Sequence, residues 1–220
     1  MLTLLAEVIP LALAGAISPV VLMGALAILD GPLAALQSAA FSVGVVATTL
    51  VLLILGFLVA VARRDGDTPG WFVGDSAHLL IGVMLVVAGI ALAVVRPDPR
   101  RTEEFQRRFL SGKRPLYDFA LAGVVLMITN ASTFVVLIAI LHVVARANAP
   151  FAEEALALSV ATFIVVLPAT VPLAAALVGG ARMRARLGAV SQFAVRYGRF
   201  AMAALWIVYG AKDVVVVLLG

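Results

Sequence analysis

From Leu33 to Ala62 the chain runs without one charged side chain, and five further predominantly apolar stretches follow or precede it. A membrane-crossing helix needs about 20 predominantly apolar residues, so this repetition fixes the fold class before anything else does. The six runs are Leu2–Leu29, Leu33–Ala62, Ser76–Val95, Tyr117–Val144, Ala155–Val178 and Arg199–Leu219. They end at Asp30-Gly31-Pro32, at Arg63 to Asp67, at Arg96-Pro97-Asp98-Pro99 and at Gly179-Gly180, all poor helix continuations. Ala, Leu and Val run on without the period of two that a barrel strand requires. The expected fold is an all-α membrane protein of six transmembrane helices.

Composition excludes the alternatives. In 220 residues 64% are hydrophobic, 13% are charged and the mean hydropathy is +1.15. A soluble enzyme of this size needs more polar surface to cover its core, and a disordered chain needs far less apolar content. The pI near 10.1 does not mark a nucleic-acid binder, because the basic residues sit between apolar runs. With no cysteine there are no disulfides or thiolate metal sites. Two histidines, His78 and His142, cannot alone make a metal site, and no cofactor is expected. Ala12, Ala14 and Ala16 resemble a signal-peptide cleavage site, but no Lys or Arg precedes the run and the run continues beyond them.

Orientation follows from the basic residues. Twelve of the sixteen fall on one side, in the connection holding Arg96 to Arg114 and in the one holding Arg182 to Arg199. The positive-inside rule makes that side cytoplasmic and places both termini outside a bacterial inner membrane. Residues 1–95 then form a first three-helix repeat, 96–116 a basic cytoplasmic loop and 117–220 a second, inverted repeat. In the last connection Met183, Leu187, Val190, Phe193 and Tyr197 recur at helical spacing with arginines mostly off that stripe. This predicts an interfacial amphipathic helix, with a shorter one over Glu103–Leu110. Arg182, Arg184, Arg186 and Arg196 either anchor the topology or hold anionic headgroups.

An offset of 112 residues aligns Ile17-Ser18-Pro19 through Leu29 with Thr129-Asn130-Ala131 through Leu141. Both carry a helix-weakening polar spot at similar depth. Pro19 lacks the N–H that the Gly15 carbonyl would accept in an unbroken helix. Thr129, Asn130, Ser132 and Thr133 concentrate hydrogen-bonding groups in helix four, and Pro168, Thr170 and Pro172 interrupt helix five. No charge reaches the midplane. Interrupted spans at matching depth in two halves point to a transporter's substrate site. Taken singly, each residue reads as easily as a kink, a back-bonded hydroxyl or interhelical glue. Gly15, Gly24, Gly44, Gly56, Gly82, Gly89 and Gly123 read as close-packing positions. His78 and His142 fall toward the outer helix ends, as interfacial residues or as partners of Asp75 or Glu7 in an outer vestibule.

Three segments carry a family resemblance: Ala14-Gly15-Ala16-Ile17-Ser18-Pro19, Thr129-Asn130-Ala131-Ser132, and Val166 to Pro172. In a 3+3 layout these resemble the lysine-exporter superfamily, and within it the glycolipid-addressing (GAP) proteins of actinobacteria. The resemblance implies an inner-membrane transporter of a cell-envelope glycolipid or lipid-linked precursor. The amino-acid exporters of that superfamily carry Pro-Gly-Pro and Asn-Pro-Lys. Here Pro19 precedes Val20 and Asn130 precedes Ala131, which weakens that branch. Export of a small polar solute such as an amino acid is the alternative. An intramembrane enzyme is disfavoured, because no Gly-x-Ser-x-Gly elbow is present and no histidine lies at the depth of Ser18. A structural partner of a lipid-synthesis enzyme is a further class. Expected contacts are membrane lipids and a lipid or small-molecule substrate, with no nucleic acid and with homo-oligomer formation left open.

Overall fold

The structure is a computed structural model that describes residues 1–29, 33–64, 75–94 and 114–219. Among them every regular element is a helix: α1 (Leu2–Ala16), α2 (Pro19–Ile28), α3 (Ala34–Arg64), α4 (Asp75–Val94), α5 (Leu116–Thr129), α6 (Ala131–Ala147), α7 (Phe151–Val165) and α8 (Leu167–Leu219). The short helix expected at Glu103–Leu110, and nearly all of the basic loop 96–116, lie outside the described residues. So do the side chains of Pro19, Asp75, His78, Ser132, Arg182, Arg184, Arg186 and Arg196.

Two helices, Ala34–Leu58 and Phe200–Leu219, are each long and apolar enough to cross a membrane. Three more spans arise if bent pairs are each taken as one: α1 with α2 at 52°, α5 with α6 at 67°, and α7 with the start of α8 at 55°. The third run of the sequence appears as α4, 20 residues long, within which the described side chains form the apolar stretch Leu79–Ala91. Among the described residues the count is therefore two to five by length and composition, against the six expected.

The side chains are sorted as lipid demands. On α3 the exposed large side chains are Leu36, Val43, Leu50, Val51, Ile54, Leu55 and Leu58, all apolar and mostly at helical spacing. Gln37, Ser38, Ser42, Thr48 and Thr49 of the same helix are buried. Apolar groups outside and polar groups inside are favoured where the solvent is hydrocarbon. Thr48 and Thr49 donate to the Gly44 and Val45 carbonyls one turn back, so their hydroxyls are satisfied within the helix.

Glycine sets the closest crossings. A Cβ on Gly44 would collide with the Ala120 carbonyl, and one on Gly123 with the Phe41 carbonyl, which fixes α3 against α5. Gly82 and Gly210 face each other's backbones in the same way, which fixes α4 against the end of α8. Helix α1 packs on α6 and α7. The α6–α7 turn uses Asn148, whose φ of 44° is a left-handed conformation that asparagine tolerates, followed by Pro150 at the cap of α7.

The last element departs from expectation. Gly179-Gly180 does not end the helical run, which continues over 53 residues to Leu219. It cannot be straight. Val165 meets Gly15 and Gly198 meets Ile17. Residues 165 and 198 therefore lie within about 20 Å of each other, whereas a straight helix between them would reach about 50 Å. The run doubles back between Ala169 and Gly198, the region where an interfacial segment is expected.

Candidate functional site

The three sequence interruptions become three breaks in helical geometry, and they converge. Ser18 caps α2 with φ −66° and ψ 106°; Asn130 caps α6 with φ −79° and ψ 86°. Each adopts a non-helical conformation while its carbonyl starts the next helix, Ser18 accepting from Leu22 N and Asn130 from Phe134 N. Pro19 at the first position of α2 is well placed there, since that N–H would have no helical partner. The third break is at Val166, with Pro168 in the first turn of α8 and Pro172 inside it.

Asn130 joins the first two breaks. Its Nδ2 donates to Ser18 Oγ at 2.8 Å and to Thr133 Oγ1 at 2.9 Å. Ser18 and Thr133 are buried, each 2% exposed. The third break adjoins them, because a Cβ on Gly15 would lie 3.1 Å from Val136 of α6 and 3.2 Å from Val165 of α7. Ser42 of α3 donates to the Ala169 carbonyl at 3.0 Å just beyond that break. The node is neutral: a hydroxyl pair, an amide and backbone carbonyls.

Not every residue singled out in the sequence belongs to it. Thr129 donates to its own Val125 carbonyl at 2.7 Å and is exposed. Thr170 donates to the Val166 carbonyl at 3.1 Å. Both hydroxyls serve their own helices, as the plainer reading of such residues holds. Pro168 and Pro172 are buried at the third break. The backbone of Pro19 and Ser132 flanks the node.

A second feature lies at one end of the molecule. There a cavity of about 450 Å³ is lined by Glu7 of α1, His142 and Arg146 of α6, Glu153 of α7, and Tyr209, Lys212 and Asp213 of α8. Met1 and Ala149 line it too, so the N-terminus, the α6–α7 turn and the end of α8 share one face. Lys212 Nζ is 3.4 Å from Glu7 Oε1 and 5.6 Å above the Tyr209 ring, and Tyr209 donates to the Glu7 backbone carbonyl at 2.8 Å. The amino group of Met1 pairs with Glu153 at 2.6 Å. His142 is 1% exposed, Glu154 1% and Asp213 8%.

The sequence pointed to Glu7 and His142 as possible vestibule partners but missed Asp213, Arg146 and Glu153. Lys212-Asp213 lies within the sixth apolar run, a sequence signal of charge held inside a span. Among the described residues no group of acidic and imidazole ligands is arranged to hold a metal ion.

Residues 8–216 match the family model described as Sap, sulfolipid-1-addressing protein. No curated protein and no solved structure matches the chain.

Proposed function

The chain belongs to the sulfolipid-1-addressing protein family, and from that premise we propose that it is a multi-pass inner-membrane transporter of an anionic cell-envelope glycolipid or a lipid-linked precursor. The reading gives it no catalytic step. Its path runs along the neutral node of Ser18, Asn130 and Thr133, with Pro168 and Pro172 keeping the third helix broken beside it.

The observation that carries this reading is the Asn130–Ser18 hydrogen bond between two broken spans. Broken helices meeting inside a bundle expose backbone carbonyls where a substrate's hydroxyls can be held, and irregular backbone at membrane depth is tolerated only beside protein or a cavity. A sugar-bearing lipid supplies such hydroxyls, and a neutral node imposes no charge on them. Charged headgroup atoms are met at the interface, where Arg182, Arg184, Arg186 and Arg196 lie in sequence.

Helix packing supports two inverted halves. If the first, second and third spans are exchanged with the fourth, fifth and sixth, the α3–α5 contact becomes the α1–α7 contact. The α4–α8 contact maps onto itself, and all three are present. Membership of the lysine-exporter superfamily, six spans, and termini on the outer side complete the proposal.

The test is movement of a fluorescent short-chain sulfated glycolipid between leaflets of proteoliposomes holding only this chain. Saturable movement that falls sharply in Asn130→Ala supports the reading. Equal rates with and without protein sink it, and counterflow of amino acids with no lipid movement favours the small-solute exporter instead.

A further inference from the structure

We propose that the end cavity is a proton-binding site, with Asp213 and His142 as the groups that take up and release the ion. The cavity brings ionisable side chains from four helices of both halves into about 450 Å³. Its charges are of two kinds. Glu7 with Lys212, and Met1 with Glu153, form partly exposed pairs. Asp213 and His142 line the same cavity yet are 8% and 1% exposed. An ionisable group buried within a membrane helix is expensive to keep, and carboxylate–histidine sets of this kind serve as proton relays.

Asp213 shares the cavity with groups from three other helices, and α4 packs against it at Gly82, where an added Cβ would lie 3.1 Å from the Asp213 Cβ; the side chains of Asp75 and His78 on α4 are outside the described residues. The cavity is lined with it by Glu7 on α1, His142 and Arg146 on α6, Glu153 on α7, and Lys212 and Tyr209 on its own helix; Glu154 of α7 is buried as well. The charges of Lys212, Glu7 and Arg146 reach its carboxylate, as does that of His142 when it is protonated. This mixture selects the ligand. A metal cation requires a shell of oxygen donors, and here Arg146 and Lys212 stand among the carboxylates. A sulfate or phosphate would be opposed by Glu7, Glu153 and Asp213. A proton adds to a carboxylate or an imidazole without either conflict. On acidification the Asp213 carboxylate becomes a carboxylic acid and the His142 imidazole an imidazolium, and the reverse step returns both protons to the cavity water.

The cavity is also mechanically connected to the node. His142 lies twelve residues after Asn130 on α6, and Glu7 eleven residues before Ser18 on α1, so two helices run about 17 Å from one site to the other. A change of charge at the cavity acts on the helices whose ends form the node.

Charge displacement on a solid-supported membrane tests this with the full chain in proteoliposomes and no lipid cargo added. A jump from about pH 7.5 to about pH 5.5 brackets the ordinary histidine range. The expected result is a transient current, absent on a sodium jump at constant pH, lost in Asp213→Asn and in His142→Gln, and kept in Asp213→Glu. Infrared difference spectra of the unaltered protein provide a check that needs no variant: acidification produces a buried carboxylic-acid C=O band. No current in the unaltered protein, an undiminished current in both variants, a sodium current of equal size, or no carboxylic-acid band overturns the proposal. Because no glycolipid is needed, either outcome leaves the cargo reading to its own test.

Discussion

Asn130 donates its amide hydrogen to the Ser18 hydroxyl across 112 positions of sequence, the same offset that aligns the two halves of the chain. In the proposed inverted repeat, equivalent residues touch only on or near the axis relating the halves, and on that reading the bond marks where one half meets the other. Replacing Asn130 with alanine removes the donor from a buried hydroxyl. Intramembrane hydrogen bonds contribute about 0.6 kcal/mol on average and rarely exceed about 1.7. Thermal unfolding in nanodiscs should therefore shift by no more than a few degrees in Asn130→Ala, while glycolipid movement falls by an order of magnitude or more. A parallel loss of both would make the node a packing feature alone.

The glycine crossings predict the opposite division. At Gly44, Gly123 and Gly210 an added Cβ meets backbone on the facing helix, and backbone cannot rotate away. Alanine at Gly123 should destabilise by about 3 kcal/mol, the upper range for overpacking, and valine should prevent a folded yield. Gly15 is different, because its neighbours are the side chains of Val136 and Val165 at 3.1 and 3.2 Å, which can give way. Gly15→Ala should unfold within a few degrees of the unaltered protein. Detergent-solubilised yield and melting temperature check both.

The three breaks were legible because proline and asparagine act locally: Pro19 and Pro168 remove N–H groups whatever surrounds them, and Asn130 competes for the backbone. Which hydroxyls join the node was not legible. Thr129 and Thr133 stand four apart on consecutive helices, yet one bonds back to Val125 and the other meets Asn130. The 67° bend between them decides this, and its angle is a tertiary outcome. The end cavity was read only in part for a related reason. A charge near a span end looks interfacial in one dimension, and the burial of Asp213 and Glu154 depends on helices distant in sequence.

At the cavity rim, Tyr209 and Glu7 separate a hydrogen bond from an ion pair. Tyr209 donates to the backbone carbonyl of Glu7, not to its side chain. Glu7→Gln leaves that bond in place and removes only a partly exposed pair with Lys212, a class contributing roughly 0–1 kcal/mol. Tyr209→Phe removes the donor itself, at about 1 kcal/mol. Tyr209→Phe should therefore melt at a lower temperature than Glu7→Gln, and raising the salt concentration should affect neither ranking. The reverse order would mean that the ion pair, not the hydroxyl, ties α1 to α8.

The arginines between Arg182 and Arg196 distinguish headgroup binding from topology. Each basic side chain near an anionic surface contributes about 1 kcal/mol, an attraction that weakens with salt. Changing Arg182, Arg184, Arg186 and Arg196 together to glutamine should lower the preference for anionic over zwitterionic lipid by up to about a thousandfold at low salt. Native mass spectrometry of protein released from mixed nanodiscs reads that preference directly. If these residues act only through the positive-inside rule, bound lipid is unchanged and a reporter fused after Leu219 switches side in part of the population. Retained orientation with lost anionic lipid assigns the arginines to headgroups, because orientation then rests on the remaining basic residues from Arg96 to Arg114.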